Sequence, residues 1–587
     1  MPLHKVVTSV LIILALAAAI IAPSPSSAEA LSSGKDPRPG LSTEGAWSWQ
    51  DYPYWVPHSE PLTVVAVEGF LAENFQGPVS FEFDTPEGEF SRIILRVDIE
   101  LVSVVEGRPA VQYDRPLWIW INSVPAFVGT TTQRYNYVAF SDVTHLYPLL
   151  VGGRKATLTI ALPNWVIPDL GLTGAFRVNV TLLYYPGPKP SWTPDLVIPL
   201  FTGSERTPWP GLAVLRLTSS DNVASDSIKL PVKAARAFLL LYSEGASYDE
   251  FWYASIPAPR LFVFKAGDNP FVIAPPLPMM YTGSLNPLLW RPIPGVRTLS
   301  FEPILIDVTP AIPLLLEYGS IEVEAIGIND YWMIFPALLV YLDEGIVGHE
   351  LVYVKPMIPS VKAEGLQGDT RGNYRFLYNA SLEIESKTYV VKGGMVLEAH
   401  SRSYMEASIE GSQNFTEDTM LLNLYVSASY TSTASNLLPG PSSWWRSLYM
   451  QTTIDYKFVV EPQGDPSQAT PDNPVPALFT LYTKVSQSLE VDGIWPFTAT
   501  YRASSEASDA EAKIAGELIF IGPTAAIITG ITEAWGLNAK DVWGSESPVS
   551  REGEVGPAII QFYRKTVGSN EWPEWSVESD DILVVWL

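Results

Sequence analysis

Two short segments set acidic side chains among aromatics: Gln112-Tyr113-Asp114-Arg115 and Tyr248-Asp249-Glu250-Phe251-Trp252-Tyr253. A third, Asn286-Pro-Leu-Leu-Trp290-Arg291-Pro292, joins a tryptophan to an arginine. Aromatic faces stack on the CH surfaces of sugars, and carboxylate and guanidinium groups bind sugar hydroxyls, so this pattern points to carbohydrate recognition. The remaining chemistry is narrow. The chain has no cysteine, which excludes thiol catalysis and thiolate metal sites, and only five histidines, none paired at helical metal-ligand spacing. It holds no Gly-x-Ser-x-Gly elbow, Walker loop or dinucleotide fingerprint. His58, His145, His349 and His400 read as surface or structural residues, so proton transfer falls to carboxylates. Taken alone, the residues stop at carbohydrate binding. A neighbouring Asp-Arg pair is more often a structural ion pair, and a tryptophan more often core.

The elements that must hold these segments are strands. Period-two alternation marks Ile321, Val323 and Ala325 against Glu322 and Glu324, and strand-like runs cover 92–105, 117–121, 156–162, 175–185, 237–243 and 420–429. Turn signals recur between them, as at Pro86-Glu87-Gly88 and Gly152-Gly153. Residues 142–150 and 307–316 supply only a turn or two of helix each. Many short strands joined by polar turns predict an all-β fold of sandwiches or barrels. Asp142-Val-Thr144 and Asp307-Val-Thr309 sit at similar places in the run of strands, marking either duplicated sandwiches or a coincidence. Proline-dense stretches at 185–199 and 462–476 mark a connection between two β modules and a seam or surface loop further on.

Length and charge set outer limits. The 587 residues exceed one domain, and the net charge of −26 argues against a nucleic-acid partner. Lys5, the apolar run Val6 to Ile21, and Ser26 and Ala28 spaced as a cleavage site read as a signal peptide over 1–28. The expectation is a secreted protein, in the extracellular space or associated with the cell envelope, with no stable membrane insertion after cleavage. Without disulfides, large cores must hold its domains together.

Collected in order, Gln112-Tyr-Asp-Arg115 and its following strand, Asp142-Val-Thr144, 178–185, Asp249-Glu-Phe-Trp-Tyr253, Gly283-Ser-Leu-Asn-Pro-Leu-Leu-Trp-Arg-Pro292 and Ile306-Asp-Val-Thr-Pro310 resemble the peptide N-glycosidase A family. That family is more distantly similar to the bacterial peptide N-glycosidase F enzymes. The resemblance implies two adjacent jelly-roll-like sandwiches, here 47–186 and 195–345, followed by a β-rich region, 346–587, of unknown role. It implies a glycoamidase that cleaves the amide between N-acetylglucosamine and asparagine of N-glycosylated peptides or proteins, giving aspartate and a glycosylamine, with no metal or cofactor. Asp114 and Glu250 take the catalytic positions. Arg115, Trp290 and Arg291 take substrate-binding ones, joined by Asp249 and Trp252 of the second acidic-aromatic segment. Where the bacterial enzymes carry a further functional Glu before a Trp, this chain has Asn164-Trp165, so either Asn164 shares that role or the role is absent. A non-catalytic glycan-binding envelope protein, or a glycosidase using the same carboxylates, are the competing readings.

Overall fold

The structure, a computed structural model, describes residues 46–47, 59–131, 136–250, 252, 259–276, 300–301, 303–359, 367–368, 373–416, 419–440, 442–495, 500–522, 525–551, 554–568 and 575–586. Segment 1–28 lies outside them, and no described helix is long and apolar enough to cross a membrane.

The chain is all-β. Nine strands build the first module: β1 (Ala46–Trp47), β2 (Leu62–Ala72), β3 (Val79–Asp84), β4 (Phe90–Ser103), β5 (Pro116–Ile121), β6 (Val124–Thr130), β7 (Tyr137–Asp142), β8 (Lys155–Ala161) and β9 (Gly174–Pro186). They form two sheets, in the orders β1-β7-β4-β9-β2 and β3-β8-β5-β6. Nine more follow: β10 (Leu196–Pro199), β11 (Leu215–Thr218), β12 (Val223–Ser227), β13 (Ala234–Ala246), β14 (Leu261–Ala266), β15 (Asn269–Ala274), β16 (Ile304–Asp307), β17 (Ser320–Ile326) and β18 (Tyr331–Leu342). These also form two sheets, β10-β18-β13-β16 with β11 beside β18, and β12-β17-β14-β15. Eight strands lettered B to I make a jelly roll when the sheets run B-I-D-G and C-H-E-F. From β2 to β9, and again from β11 to β18, the order is that one.

The recurring Asp-Val-Thr tripeptides are the same clasp in both rolls. Each Asp ends strand G and accepts from the Thr backbone N–H at 3.0 Å and the Thr hydroxyl at 2.6 Å. Each Thr hydroxyl then reaches strand D, at the amide of Ile93 or Ala237. The helical turns expected over 142–150 and 307–316 follow directly, as Tyr147–Leu150 and Ile312–Tyr318.

Strands without alternation are buried on both faces. β5 shows why: its Leu117-Trp-Ile-Trp-Ile121 run packs one face into the first roll and the other against the second. Trp118 and Trp120 both meet the rings of Trp209 and Phe335 at 5.4–5.9 Å, and Trp120 Nε1 donates to the Ala213 carbonyl. Each such aromatic pair is worth about 0.5–1.5 kcal/mol beyond its buried area. β13 is the second roll's counterpart, apolar and buried almost throughout.

Residues from Ile346 onward form one antiparallel sheet of eleven strands: β19 (Ile346–Met357), β20 (Gln367–Gly368), β21 (Tyr374–Lys392), β22 (Met395–Phe415), β23 (Thr419–Ala434), β24 (Ser443–Pro462), β25 (Val475–Trp495), β26 (Thr500–Gly522), β27 (Ala525–Arg551), β28 (Glu554–Gly568) and β29 (Trp575–Trp586). Strand β23 alternates strictly, with Leu422, Leu424, Val426 and Tyr430 buried. The proline-rich stretch 462–476 is the connection between β24 and β25. The sheet docks on the second roll, where Trp444 meets Phe238 edge-on and Ser432 Oγ donates to Asp307.

Candidate active site

Asp114 sits where the chain enters β5. Its segment is clamped to the end of β6, because Arg115 and Thr131 exchange hydrogen bonds at 2.9 and 2.8 Å. Gln112 is buried and ties the segment down further. Its amide donates to the carbonyls of Trp165 and Gly174, and its oxygen accepts from the Tyr113 N–H and Arg115 Nη2. The Arg115 guanidinium lies 5.7 Å from the Tyr113 ring and 5.6 Å from that of Trp165. Burial lowers its pKa against the opposing pull of Asp114 and Tyr113. Trp165 is 43% exposed and presents an aromatic face beside that cation.

Glu250 comes from the other roll, just beyond the end of β13. The turn that carries it is tightly built. Ser247 adopts a left-handed backbone at φ 56°, and its carbonyl accepts from the Glu250 N–H. A side chain at Gly245 would meet the Asp249 carbonyl at 2.3 Å and the Trp332 ring at 3.0 Å, so only glycine lets the turn fold back on its strand. Asp249 anchors it from inside. Its carboxylate accepts from the amides of Asn329 and Asp330, from Trp332 Nε1, and from Arg260 at 2.6 Å.

Asp114 and Glu250, 136 positions apart in the chain, face one another electrostatically across the seam. Burial first, then Asp114, then Glu244 push the Glu250 carboxyl well above the usual range. Glu244 was not singled out by the sequence reading. It lies near the end of β13, is 7% exposed, and accepts a 2.7 Å hydrogen bond from Trp118 Nε1 of the first roll. Burial and the Asp114 charge raise its pKa to about 8, against the stabilising Trp118 N–H. The available signal was the one carboxylate in a largely apolar strand, since a buried group of that kind must be paired, neutral or functional. Tyr331 completes the rim. Its hydroxyl pKa is raised by burial and then by Glu244, and the exposed Arg216 lies 4.3 Å over its ring.

Three residues expected to bind substrate are interior instead. Asn164 is fully buried, and its amide donates to the carbonyls of Ala72, Glu73 and Gly174. Asp249 is fully buried and its oxygens are committed to the turn. Trp252 is 2% exposed and packs edge-on against Trp332. Trp290 and Arg291 lie outside the described residues. Of the histidines, His145 is buried and held near pKa 4 by burial, hence neutral, while His349 bonds Thr388 and the Val232 carbonyl.

Chemically, burial and the neighbouring Asp114 charge oppose ionisation of Glu244 and Glu250, because like charges brought together cannot all ionise. Such an arrangement gives a base and an acid at one place.

The fold and this site define a double jelly-roll protein with a carboxylate cluster on the seam between its rolls. Residues 56–350, about half the chain, match the family described as Peptide N-acetyl-beta-D-glucosaminyl asparaginase amidase A, and the chain belongs to that family. It is 26% identical over 338 residues to peptide-N4-(N-acetyl-beta-glucosaminyl)asparagine amidase A of Prunus dulcis, covering 50% of this chain and 56% of that protein. The chain thus spans little more than half the length of the curated relative it matches. Among solved structures it is similar to PNGase F, a glycosylasparaginase from Flavobacterium meningosepticum, at 12% identity and a TM-score of 0.33, covering 49% of this chain and 98% of that one. A second similarity is to PNGF-II, at 12% identity and a TM-score of 0.35, covering 49% and 66%.

Proposed function

We propose that this protein is an exported peptide N-glycosidase, hydrolysing the amide that joins N-acetylglucosamine to asparagine in N-glycosylated peptides or proteins. The observation that carries the reading is the approach of Asp114 and Glu250 from two rolls to one seam, where burial first and the Asp114 charge second hold the Glu250 carboxyl well above its usual range. Family membership supports the reaction class, and the signal-like segment at 1–28 supports export. Asp114 orients and deprotonates the attacking water. Glu250 holds the first sugar or assists proton transfer, and Arg115 and Trp165 form the wall beside the scissile bond. General acid–base help supplies roughly 10²–10⁴-fold, short of the 10⁶-fold or more that enzymes reach. Donors aimed at the developing oxyanion must supply the rest, and the Arg115 guanidinium is our candidate for that role.

The test is a defined glycopeptide followed by mass spectrometry. Amide hydrolysis converts asparagine to aspartate, a gain of about one dalton on the bare peptide, whereas a glycosidase leaves sugar attached. Asp114→Asn should abolish release, by about 10³-fold or more, while thermal unfolding stays within a few degrees. Bound but uncleaved glycopeptide would instead favour a glycan-binding protein. Unfolding of the variant would make Asp114 a structural partner of Arg115.

A further inference from the structure

We propose that Glu244 is a third catalytic carboxyl, the proton donor to the departing glycosylamine nitrogen. This rests on the amidase reading and extends it to a residue on which that reading does not depend.

The argument begins with the leaving group. An amide nitrogen cannot depart as an anion near neutral pH, so hydrolysis of this bond needs a positioned acid as well as a base. Asp114 accepts a proton from water as the oxygen adds to the asparagine carbonyl carbon. The carbon–nitrogen bond then breaks, and the nitrogen must receive a proton as it leaves with the bonding pair. Glu244 gives up that proton and is left as a carboxylate. The proton held on Asp114 returns through the coupled cluster, so one water is consumed and one carboxylic acid and one amine are formed.

Geometry selects Glu244 for this step. One of its oxygens, Oε2, is fixed by Trp118 Nε1, and no described residue donates to the other. No ion pair neutralises the group among the described residues. Its cross-strand partner on β18 is Met333, which brings no charge. The charges that act on it or on its neighbours are Asp114 from the mouth of β5, Glu250 from the turn after β13, and Tyr331 from β18, with Arg216 of β11 4.3 Å over the Tyr331 ring. Two of these are acids, and the cation touches only the tyrosine. A carboxyl so enclosed keeps its proton at neutral pH, with a pKa near 8 set first by burial and then by Asp114. Trp118 also explains the placement: its indole belongs to the strand that Asp114 opens, so a single hydrogen bond holds base and acid in register across the seam.

Glu244→Gln retains an acceptor for Trp118 and loses only the proton. It should cut kcat about 10²–10³-fold with KM little changed, and remove the fall in rate that the wild type shows as pH rises through about 8. Trp118→Phe, which deletes the N–H that stabilises the carboxylate and ties it to the strand of Asp114, should lower kcat and move the basic limb of the remaining activity to higher pH. If Glu244→Gln keeps the wild-type rate and basic limb, or if Glu250→Gln rather than Glu244→Gln abolishes that limb, the assignment is overturned. Failure of the wild-type protein to shift the glycopeptide mass would instead overturn the amidase reading itself.

Discussion

Strands β4 and β13 are the same strand, D, of two jelly rolls. Both shift register just before an arginine, Arg92 or Arg236, and both carry a glutamate eight residues further on, Glu100 or Glu244. The neighbourhoods then diverge. Opposite Glu100 on strand I stands Arg177, and the two pair at 2.5 Å with both side chains more than 40% exposed. Opposite Glu244 the same strand offers Met333, and the side chain is enclosed against Trp118 of the other roll. At the arginines the contrast repeats. Arg92–Asp142 is a clasp at the surface, 14% and 23% exposed, while Arg236–Asp307 is 1% exposed on both sides because the C-terminal sheet covers it. One local design therefore has two outcomes. The first roll keeps both acids partly exposed and ion-paired, whereas the second, covered on two sides, gains a dock at one position and a carboxyl of raised pKa at another.

That comparison is sharpest at the buried clasp. Arg236→Ala leaves Asp307, which Ser432 and Thr309 also engage, charged and uncompensated in the interior, and should destabilise by about 3–5 kcal/mol in chemical denaturation. Arg92→Ala should cost about 1 kcal/mol or less, because water replaces its contacts. Equal losses would mean that the C-terminal sheet does not isolate the second clasp.

Next in size is the cross-strand position. Met333→Arg gives Glu244 the partner that Arg177 gives Glu100. The added cation should pull the Glu244 pKa down, lower the rate at pH 7 by about ten- to hundred-fold, and leave the fold intact by circular dichroism. An unchanged pH–rate profile would show that the missing cation does not set the site's electrostatics.

Stability against pH gives a smaller signal with a definite sign. A carboxyl raised from the ordinary value of 4.5 to about 8 in the folded state binds its proton more tightly there than when unfolded. Its contribution is complete below about pH 4.5 and is lost as pH rises through about 8. Wild type should therefore lose Tm from pH 6 to pH 9 more steeply than Glu244→Gln, and parallel melting curves would contradict the buried neutral acid. Burial raises Asp142 and Asp307, but their arginines and Thr partners outweigh it and lower both; they act in the opposite sense, their contribution present above the ordinary carboxylate value and lost as pH falls below it to the lowered one. Smallest of all, Glu100→Gln should shift stability by under about 1 kcal/mol and leave activity untouched.

Much of this was legible along the chain. Alternation and turn residues gave β4, β5, β8, β9, β13, β17 and β23 to within about five residues, and the paired Asp-Val-Thr tripeptides, left open between duplication and coincidence, prove to be the same local clasp because a short acid capping its own turn needs only neighbours in sequence. Asp114 and Glu250 stand beside aromatics in their own segments, which pointed only to carbohydrate binding, and their catalytic positions came from the family resemblance. Local pattern failed where the question was which face a side chain takes. Asn164, Asp249 and Trp252 looked like ligands and turned inward, since a polar or aromatic residue reads the same whether it meets a sugar or a buried carbonyl.

The sequence by itself determined the all-β class and the residue types present at the seam, while two adjacent rolls were implied only by the family resemblance. Only the tertiary structure decided which acids keep their protons. Glu244 and Trp118 are separated by 126 positions, and the low-dielectric enclosure that raises this carboxyl exists only once one roll closes on the other. Desolvation belongs to the assembled interior, and no stretch of chain carries it alone.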